Sequence, residues 1–584
     1  SVSLSPFRPL TTLSPMSVYY DTKQQIIKEL KTALGKGYSP TAAEVESPPD
    51  LAMGDFAFPC FTLAKGLKKN PAEIAVELAA KIEPKGVIKK VKATGSYVNF
   101  FLNTEIFGQE ILNNIKNLGT GYGKAAEENH RRIMVEYANL NTHKEVHIGH
   151  LRNLFVGQTT INLLRAVGYE VIPVSYTNDL GTHVAKCVWG LKKFYGDYEL
   201  NEENATTFLG KVYTEATQAE ENDPKVKEEI SQVFHELESG KGESVVLWKK
   251  TRKWSVNDLK SVFKELGLPI SVWYFESEMI KPARKAIKEL EKKGLAVKSQ
   301  GATIIDLSEE KLGAYLLVKS DGMLLYAAKD IPLAFRKEEE YHPEKSIYVV
   351  DTRQSLAMQQ LFATLRRMDF KKELIHLSYD FVTLKEGAMS SRKGNIIRYE
   401  TLRDTLIDLA KTETQKRHPE WKEKFLQKTA RTIAFAALRF GMLRQDPDKK
   451  IVFDINEVLS FDGYTGPYLL YTYARIQSIL RKAGGLKSEI KSKHLVTPIE
   501  HQLLFKLAGY PEVIASTAHD FKLDRLAEYL FDLAKLFATF YHEVPVLQDE
   551  NKEVVAARLA LCEAVGQVIK NGLWMMGIET IEEM

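Results

Sequence analysis

The chain is 584 residues long, too long for one hydrophobic core, and its length predicts three or four domains. Its composition, 44% hydrophobic and 27% charged with 80 basic against 76 acidic side chains, is that of an ordinary globular protein; it permits a nucleic-acid partner without requiring one, and no apolar run reaches the roughly 18 residues of a membrane span. Cys60, Cys187 and Cys562 lie far apart, giving neither a disulfide framework nor CxxC metal spacing, so a reducing, cytoplasmic compartment is expected and structural zinc is not.

Residues 1–19 read as a disordered tail, since the first 15 are rich in Ser, Thr and Pro and lack acids. A helix is predicted from Gln24 to Leu34, with Ile26, Ile27 and Leu30 on one face and Gly35 after its end. Asn70-Pro71 is a cap followed by a first-turn proline and opens another helix. Ser96–Leu102 is strand-like, and a small α/β domain is expected over 20–125, set off by the Gly- and charge-rich stretch Leu118–Arg132. A βαβ unit follows. Ile133–Tyr137 is a strand; a helix from about Gly149 carries Leu151, Leu154, Ile161 and Leu164 and stops at Gly168; Val171–Val174 is the returning strand. Parallel strands with a crossover helix imply a doubly wound, Rossmann-like parallel sheet over 126–400, with ligands at the carboxyl ends of its strands. The charged, helical stretch at about 190–300 reads as an insertion, after which strands resume at Tyr315–Val318, Ser346–Val350 and Leu374–Leu377. A helical connection (401–455) leads into an all-helical bundle (456–584), where Leu526, Leu530, Leu533, Phe537 and Phe540 trace a core stripe.

Two short signatures carry chemistry. His147-Ile-Gly-His150 joins a strand to the helix it feeds, where unpaired N–H groups and the helix dipole favour phosphate. Gly149 leaves room for an adenine or ribose on the backbone, and the imidazoles can donate to phosphate oxygens. Ala388-Met-Ser-Ser-Arg-Lys-Gly394 is a small basic loop suited to closing over a triphosphate. Either alone reads better as an ordinary polar loop; both in this order, each after a parallel strand, point to nucleotide chemistry.

The pair resembles the HIGH and KMSKS motifs of class I aminoacyl-tRNA synthetases. Met389 and Ser390 match the second motif, whereas Ala388, Ser391 and Arg392 replace its two lysines and last serine. In arginyl-tRNA synthetases a lysine three residues before HIGH is thought to stand in for the second lysine, and Lys144 occupies that position here; Arg392 and Lys393 add charge nearby. The resemblance implies catalytic roles for Lys144, His147, His150, Met389, Ser390, Arg392 and Lys393, with His147, Gly149, His150 and Met389 at ATP.

The same resemblance identifies an arginine site. A guanidinium needs carboxylates in fork geometry and the α-ammonium needs oxygen acceptors. Val135–His147 is similar to the family stretch before HIGH and assigns Glu136, Asn141 and His147 to the amino acid. Lys319–Asp330 places Tyr326 and Asp330 at the guanidinium, four residues apart on one side of a helix; Gln354 is expected near the α-ammonium and Glu276 as a further acid. Leu180 and His183 replace the family's tryptophan and glutamine after Asn178-Asp179, and Ala357 stands where a histidine is frequent. Phe461–Ile476 resembles the start of the anticodon-binding domain, implying tRNA contacts for Tyr468 and Arg475, beside Arg481 and Lys482; Gly54–Pro59 and Gly95–Phe100 resemble the tRNA-elbow domain, implying contacts for Asn99 and Phe100.

The implied activity is ATP-dependent activation of L-arginine, assisted by Mg²⁺, and transfer to tRNA(Arg) by a cytoplasmic monomer without membrane contact or zinc. Positioning and electrostatics carry the rate, with no covalent nucleophile. Rivals are a cysteine-type class I synthetase, a nucleotidyltransferase sharing the HIGH loop, and an inactive tRNA-binding paralogue. Missing zinc ligands oppose the first, the helical domain opposes the second, and Ala357, Ala388 and Ser391 are the positions that would favour the third.

Overall fold

The computed structural model describes residues 17–35, 38–196, 205–385, 397–484 and 491–584. The first helix, Val18–Leu34, starts earlier than predicted because the Ser17 hydroxyl accepts the Tyr20 N–H at 3.3 Å, so residues 17–19 are cap and helix rather than tail; residues 1–16 lie outside the described residues. Its buried face carries Ile26, Ile27 and Leu30. Helix Pro71–Lys81 begins as expected, with Asn70 Oδ1 accepting the Ala72 N–H at 2.9 Å. Strands β1 (Phe56–Pro59), β2 (Ile88–Thr94) and β3 (Tyr97–Leu102) form an antiparallel sheet in the order β1-β3-β2.

The central sheet contains β4 (Arg132–Glu136), β5 (Glu170–Thr177) and β6 (Val272–Phe275). After the antiparallel set β7 (Val297–Ser299), β8 (Ala302–Asp306) and β9 (Ala314–Val318), it is completed by β10 (Lys345–Asp351) and β11 (Glu373–Tyr379). Its order is β11-β10-β4-β5-β6 and every pairing is parallel. The chain winds outward from β4 through β5 to β6, then returns on the other side of β4. The winding reverses between β4 and β10, and a crevice opens there at the carboxyl ends. Helix Ile148–Ala166 covers this point closely because Gly157 faces the Tyr137 ring, with which any Cβ would overlap.

Two expectations are corrected. The stretch 190–300 holds helices Ala205–Asn222, Pro224–Ser239 and Glu243–Glu265, but it also contains β6, which pairs with β5 from Val174↔Val272 to Thr177↔Phe275 and belongs to the sheet. Tyr315–Val318 does not resume that sheet; it falls in β9. Its alternation of buried Tyr315 and Leu317 with exposed Leu316 suits a sheet with one wet face, whereas Ile133–Glu136 of β4 is buried on both.

β12 (Val382–Leu384) pairs in parallel with β13 (Ile451–Phe453) and leads into the segment 386–396, outside the described residues. Apart from β13, the elements that follow among the described residues are helices, the last ending at Met575. Leu526, Leu530, Leu533, Phe537 and Phe540 are all buried on helix Asp524–Glu543. The first domain packs directly on this bundle: Phe505 meets the rings of Phe56 (5.4 Å), Tyr19 (5.7 Å) and Phe107 (6.2 Å).

Candidate active site

The crevice between β4 and β10 holds a cavity of about 330 Å³. Glu136, Asn141, His150, Tyr326, Asp330 and Gln354, spread over more than 200 residues of sequence, all line it. Glu136 ends β4, Tyr326 and Asp330 start helix Tyr326–Tyr341, and Gln354 closes the short turn after β10. Glu276, Lys144, His147 and Gly149 stand outside the lining. Asn139, Asn153, Tyr176 and Tyr348 line the cavity and were not singled out from sequence. Asn153 ties the two sides of the crevice, accepting the Ala138 N–H at 2.8 Å and donating to the Val349 carbonyl at 2.7 Å. Nothing in a helical asparagine's sequence context announces that role.

The acids differ in what holds them. Glu136 accepts from Asn139 Nδ2 at 2.9 Å and from the buried ammonium of Lys337. Glu276 is fully buried behind the cavity with Oε1 2.5 Å from Lys329 Nζ, while Oε2 has no partner among the described residues. Burial lifts the Glu276 carboxyl to about 7 against the pull of Lys329. No hydrogen bond or ion pair engages the Asp330 carboxylate among the described residues. Burial first, then the negative charge of Glu136, raises it to about 8, opposed by Lys337. The cavity therefore presents one unclaimed carboxylate, poised for a cation.

Asp179 supports this wall from beneath. It accepts from the Ser277 N–H (2.8 Å) and hydroxyl (2.7 Å) and from Arg252, fixing the turn that carries Glu276. Leu180 is fully buried beside it, and the Trp248 indole donates to the Asp179 carbonyl at 2.8 Å, so the packing around Asp179 is complete without a tryptophan at 180. Ala357 is exposed on helix Ser355–Arg367, just beyond Gln354.

At the mouth, the two signature histidines cap their own helix. His147 Nδ1 accepts the Gly149 N–H at 3.2 Å, His150 Nδ1 accepts the His147 N–H at 3.2 Å, and the rings stack with centroids 3.6 Å apart. A Cβ on Gly149 would come within 3.1 Å of the His147 ring, so this glycine keeps the imidazole in place. Burial, helped by Lys144, lowers His147 to about 4; burial, then His147 and Lys144, hold His150 well below its usual value, so both rings are neutral. With each Nδ1 accepting, the proton sits on Nε2, which is left as a donor. The Lys144 ammonium lies 5.0 Å over the Tyr213 ring.

Met389, Ser390, Arg392 and Lys393 lie outside the described residues. Their C-terminal flank is tied to the first signature: Ile148 N–H donates to the Ile397 carbonyl (3.1 Å), Tyr399 N–H to the Val146 carbonyl (2.8 Å), and Arg398 pairs with Glu145 at 2.7 Å.

Among the expected tRNA residues, Asn99 and Phe100 are 4% and 0% exposed. Consecutive strand residues point to opposite faces of the sheet, and at these two positions both faces are covered, so neither side chain is open to a nucleic acid in this structure. Tyr97 and Phe101, the latter under Lys90 Nζ at 5.6 Å, are the more open aromatics of that strand. Tyr468 packs in the bundle, its ring 5.6 Å from Phe531. Arg475 instead lines a cleft of about 880 Å³ with His418, Trp421, Tyr471 and Tyr541, its guanidinium 4.6 Å from the Tyr471 ring. Arg481 and Lys482 share that cleft.

Comparison with known proteins agrees in all three parts of the chain. Residues 21–102 match the arginyl tRNA synthetase N terminal domain, 111–455 the catalytic domain of class I (R) tRNA synthetases, and 469–584 the DALR anticodon binding domain. Arginine–tRNA ligase of Bdellovibrio bacteriovorus is 39% identical over 95% of this chain and 98% of its own. That of Clostridium perfringens is 33% identical over 97% and 100%. The solved Thermus thermophilus arginyl-tRNA synthetase superposes with a TM-score of 0.78 at 26% identity, covering 96% of this chain and all of the other. A nearly full-length match in sequence and in fold leaves one conclusion: the chain belongs to the arginyl-tRNA synthetases of class I.

Proposed function

We propose that this enzyme activates L-arginine with ATP and esterifies it to tRNA(Arg), with the amino acid held in the cavity between β4 and β10. The observation that carries the site assignment is the unclaimed Asp330 carboxylate inside a walled cavity, beside two neutral histidines with free Nε2–H donors. The guanidinium pairs with Asp330, with Tyr326 at its edge and Glu136 and Glu276 as supporting acids. Asn141 and Gln354 accept from the α-ammonium.

The arginine carboxylate then attacks the α-phosphate of ATP, and pyrophosphate leaves. The Nε2–H groups of His147 and His150 and the ammonium of Lys144 meet the charge that builds on the phosphate oxygens. By resemblance Met389, Ser390, Arg392 and Lys393 supply the facing contacts. Mg²⁺ is expected with the ATP, where it would supply positive charge to offset that of the phosphates. A terminal ribose hydroxyl of the tRNA next attacks the arginyl carbonyl and AMP leaves.

For the tRNA, the Arg475 cleft suits stacked bases and phosphate, and residues 456–584 are assigned to the anticodon end. Residues 20–125 are assigned to the elbow, 126–400 to catalysis and 401–455 to the connection. The enzyme is taken to act as a cytoplasmic monomer; no helix among the described residues is long and apolar enough to cross a membrane. The test is ATP–pyrophosphate exchange, expected to require both L-arginine and tRNA. Exchange running equally well with lysine would remove the arginine assignment.

A further inference from the structure

Helix Tyr326–Tyr341 presents a continuous stripe to the cavity: Tyr326, Asp330 and Leu333 line it, and Lys337 follows on the same face one turn deeper. Lys337 is 1% exposed. A buried ammonium is costly unless paired, and this one meets the Glu136 carboxylate and lies 4.5 Å over the Tyr348 ring. Glu136 is thereby fully used, since Asn139 takes its other oxygen. On the far side Lys329 holds Glu276 in the same manner at 2.5 Å.

The formal charges of this ensemble are unequal. Glu136, Glu276 and Asp330 give three negative charges, Lys329 and Lys337 two positive ones, and one negative charge is left over. Resting on the assignment of this cavity to arginine, we infer that Lys337 is a specificity-determining positioning residue: by clamping and neutralising Glu136 it leaves Asp330 as the single carboxylate for a single guanidinium. Without Lys337, the uncompensated Glu136 carboxylate would compete for the cation and hold the Asp330 proton more tightly than it is already held. The Asp330 charge also acts on the phenols of Tyr176, Tyr315, Tyr326 and Tyr348, but burial raises each of them, so they stay neutral across the working range.

The test compares Lys337→Met, Glu136→Gln, their combination and Asp330→Asn in the full chain, reading KM for arginine and kcat of aminoacylation from pH 6 to 9. Lys337→Met is expected to raise KM about 30-fold at pH 7 with kcat changed only a few-fold, and to move the pH at which KM levels off upward by about one unit. Glu136→Gln leaves the ammonium uncompensated beside Asp330, so its KM rises while its pH profile moves in the opposite, acidic direction. The double variant should return KM to within about fivefold of the parent, because neither charge is then left alone. A purely structural lysine would weaken arginine equally at every pH, with no opposite shift in Glu136→Gln; that result, or an unaltered KM in a folded Lys337→Met protein, overturns the inference. Should Lys337→Met not fold, the acidic shift of Glu136→Gln decides alone. Asp330→Asn separates the two levels: if it leaves arginine KM unchanged, the cavity is not the arginine site. If it raises KM strongly while Lys337→Met is neutral, only the role of Lys337 falls.

Discussion

At the scale of residues, the chemistry rests on protons held in unusual places. Burial and the charge of Glu136 raise Asp330 to about 8, so at pH 7 it is largely protonated; a guanidinium stabilises its ionised form and pulls that value down. The sign follows. Arginine affinity is greatest above pH 8 and weakens as pH falls, by about tenfold per unit until the value in the complex is reached. Calorimetry in buffers of different ionisation enthalpy should find close to one proton released per arginine bound at pH 7, and Asp330→Asn should abolish the release. The histidines divide two jobs between their ring nitrogens, capping the helix through Nδ1 and offering Nε2–H to phosphate. His147→Asn keeps a good capping acceptor and removes the imidazole donor. Exchange is expected to fall about 100-fold with the melting temperature unchanged. A large drop in melting temperature instead would mean that the ring matters mainly for folding.

At the scale of elements, what was legible in sequence was what repeats or sits close together. The period of apolar residues located helix Ile148–Ala166, and two β-rich runs located its flanking strands, because each signal lies within one element. Tyr326 and Asp330 were readable as neighbours for the same reason. Illegible were the pairings that only folding creates. Glu136 and Lys337 are 201 residues apart, and a lysine inside a charged helix reads as solvated. β6 is hidden by its highly charged surroundings, while β9, Ala-Tyr-Leu-Leu-Val, is apolar throughout; its alternation exists only in burial, so from sequence it reads like a strand of the central sheet. Arg152 belongs to this class too. It is fully buried and donates to the carbonyls of Asp380 (2.7 Å), Lys449 (2.5 Å) and Asp446 (3.0 Å), pinning the helix of the first signature to the segments that bracket the second. Arg152→Met removes these charge-assisted bonds and leaves three carbonyls wanting; a loss of about 3 kcal/mol is expected by denaturant melting. Retention of parental stability would mean that water replaces the guanidinium without penalty.

At the scale of the whole molecule, the N-terminal domain and the helical bundle, far apart in sequence, close onto each other beside the catalytic sheet. Besides Phe505 among Tyr19, Phe56 and Phe107, His501 bridges Asp55 at 2.5 Å and Thr104 at 3.0 Å, and Ser492 donates to the Glu105 carbonyl at 2.6 Å. One apolar core runs through all three domains, so a ligand spanning the two ends meets a preset spacing. Phe505→Ala tests whether that spacing matters for tRNA. It removes a ring at the junction and none near the cavity, so the cost, up to about 3 kcal/mol, falls on docking. Faster proteolytic release of the first domain is expected, with KM for tRNA raised several-fold and KM for arginine at saturating tRNA unchanged, since the cavity walls belong to the central sheet. If tRNA KM stays at the parental value while the domain is demonstrably loosened, the two ends bind their partner independently, and the packing between them serves stability alone.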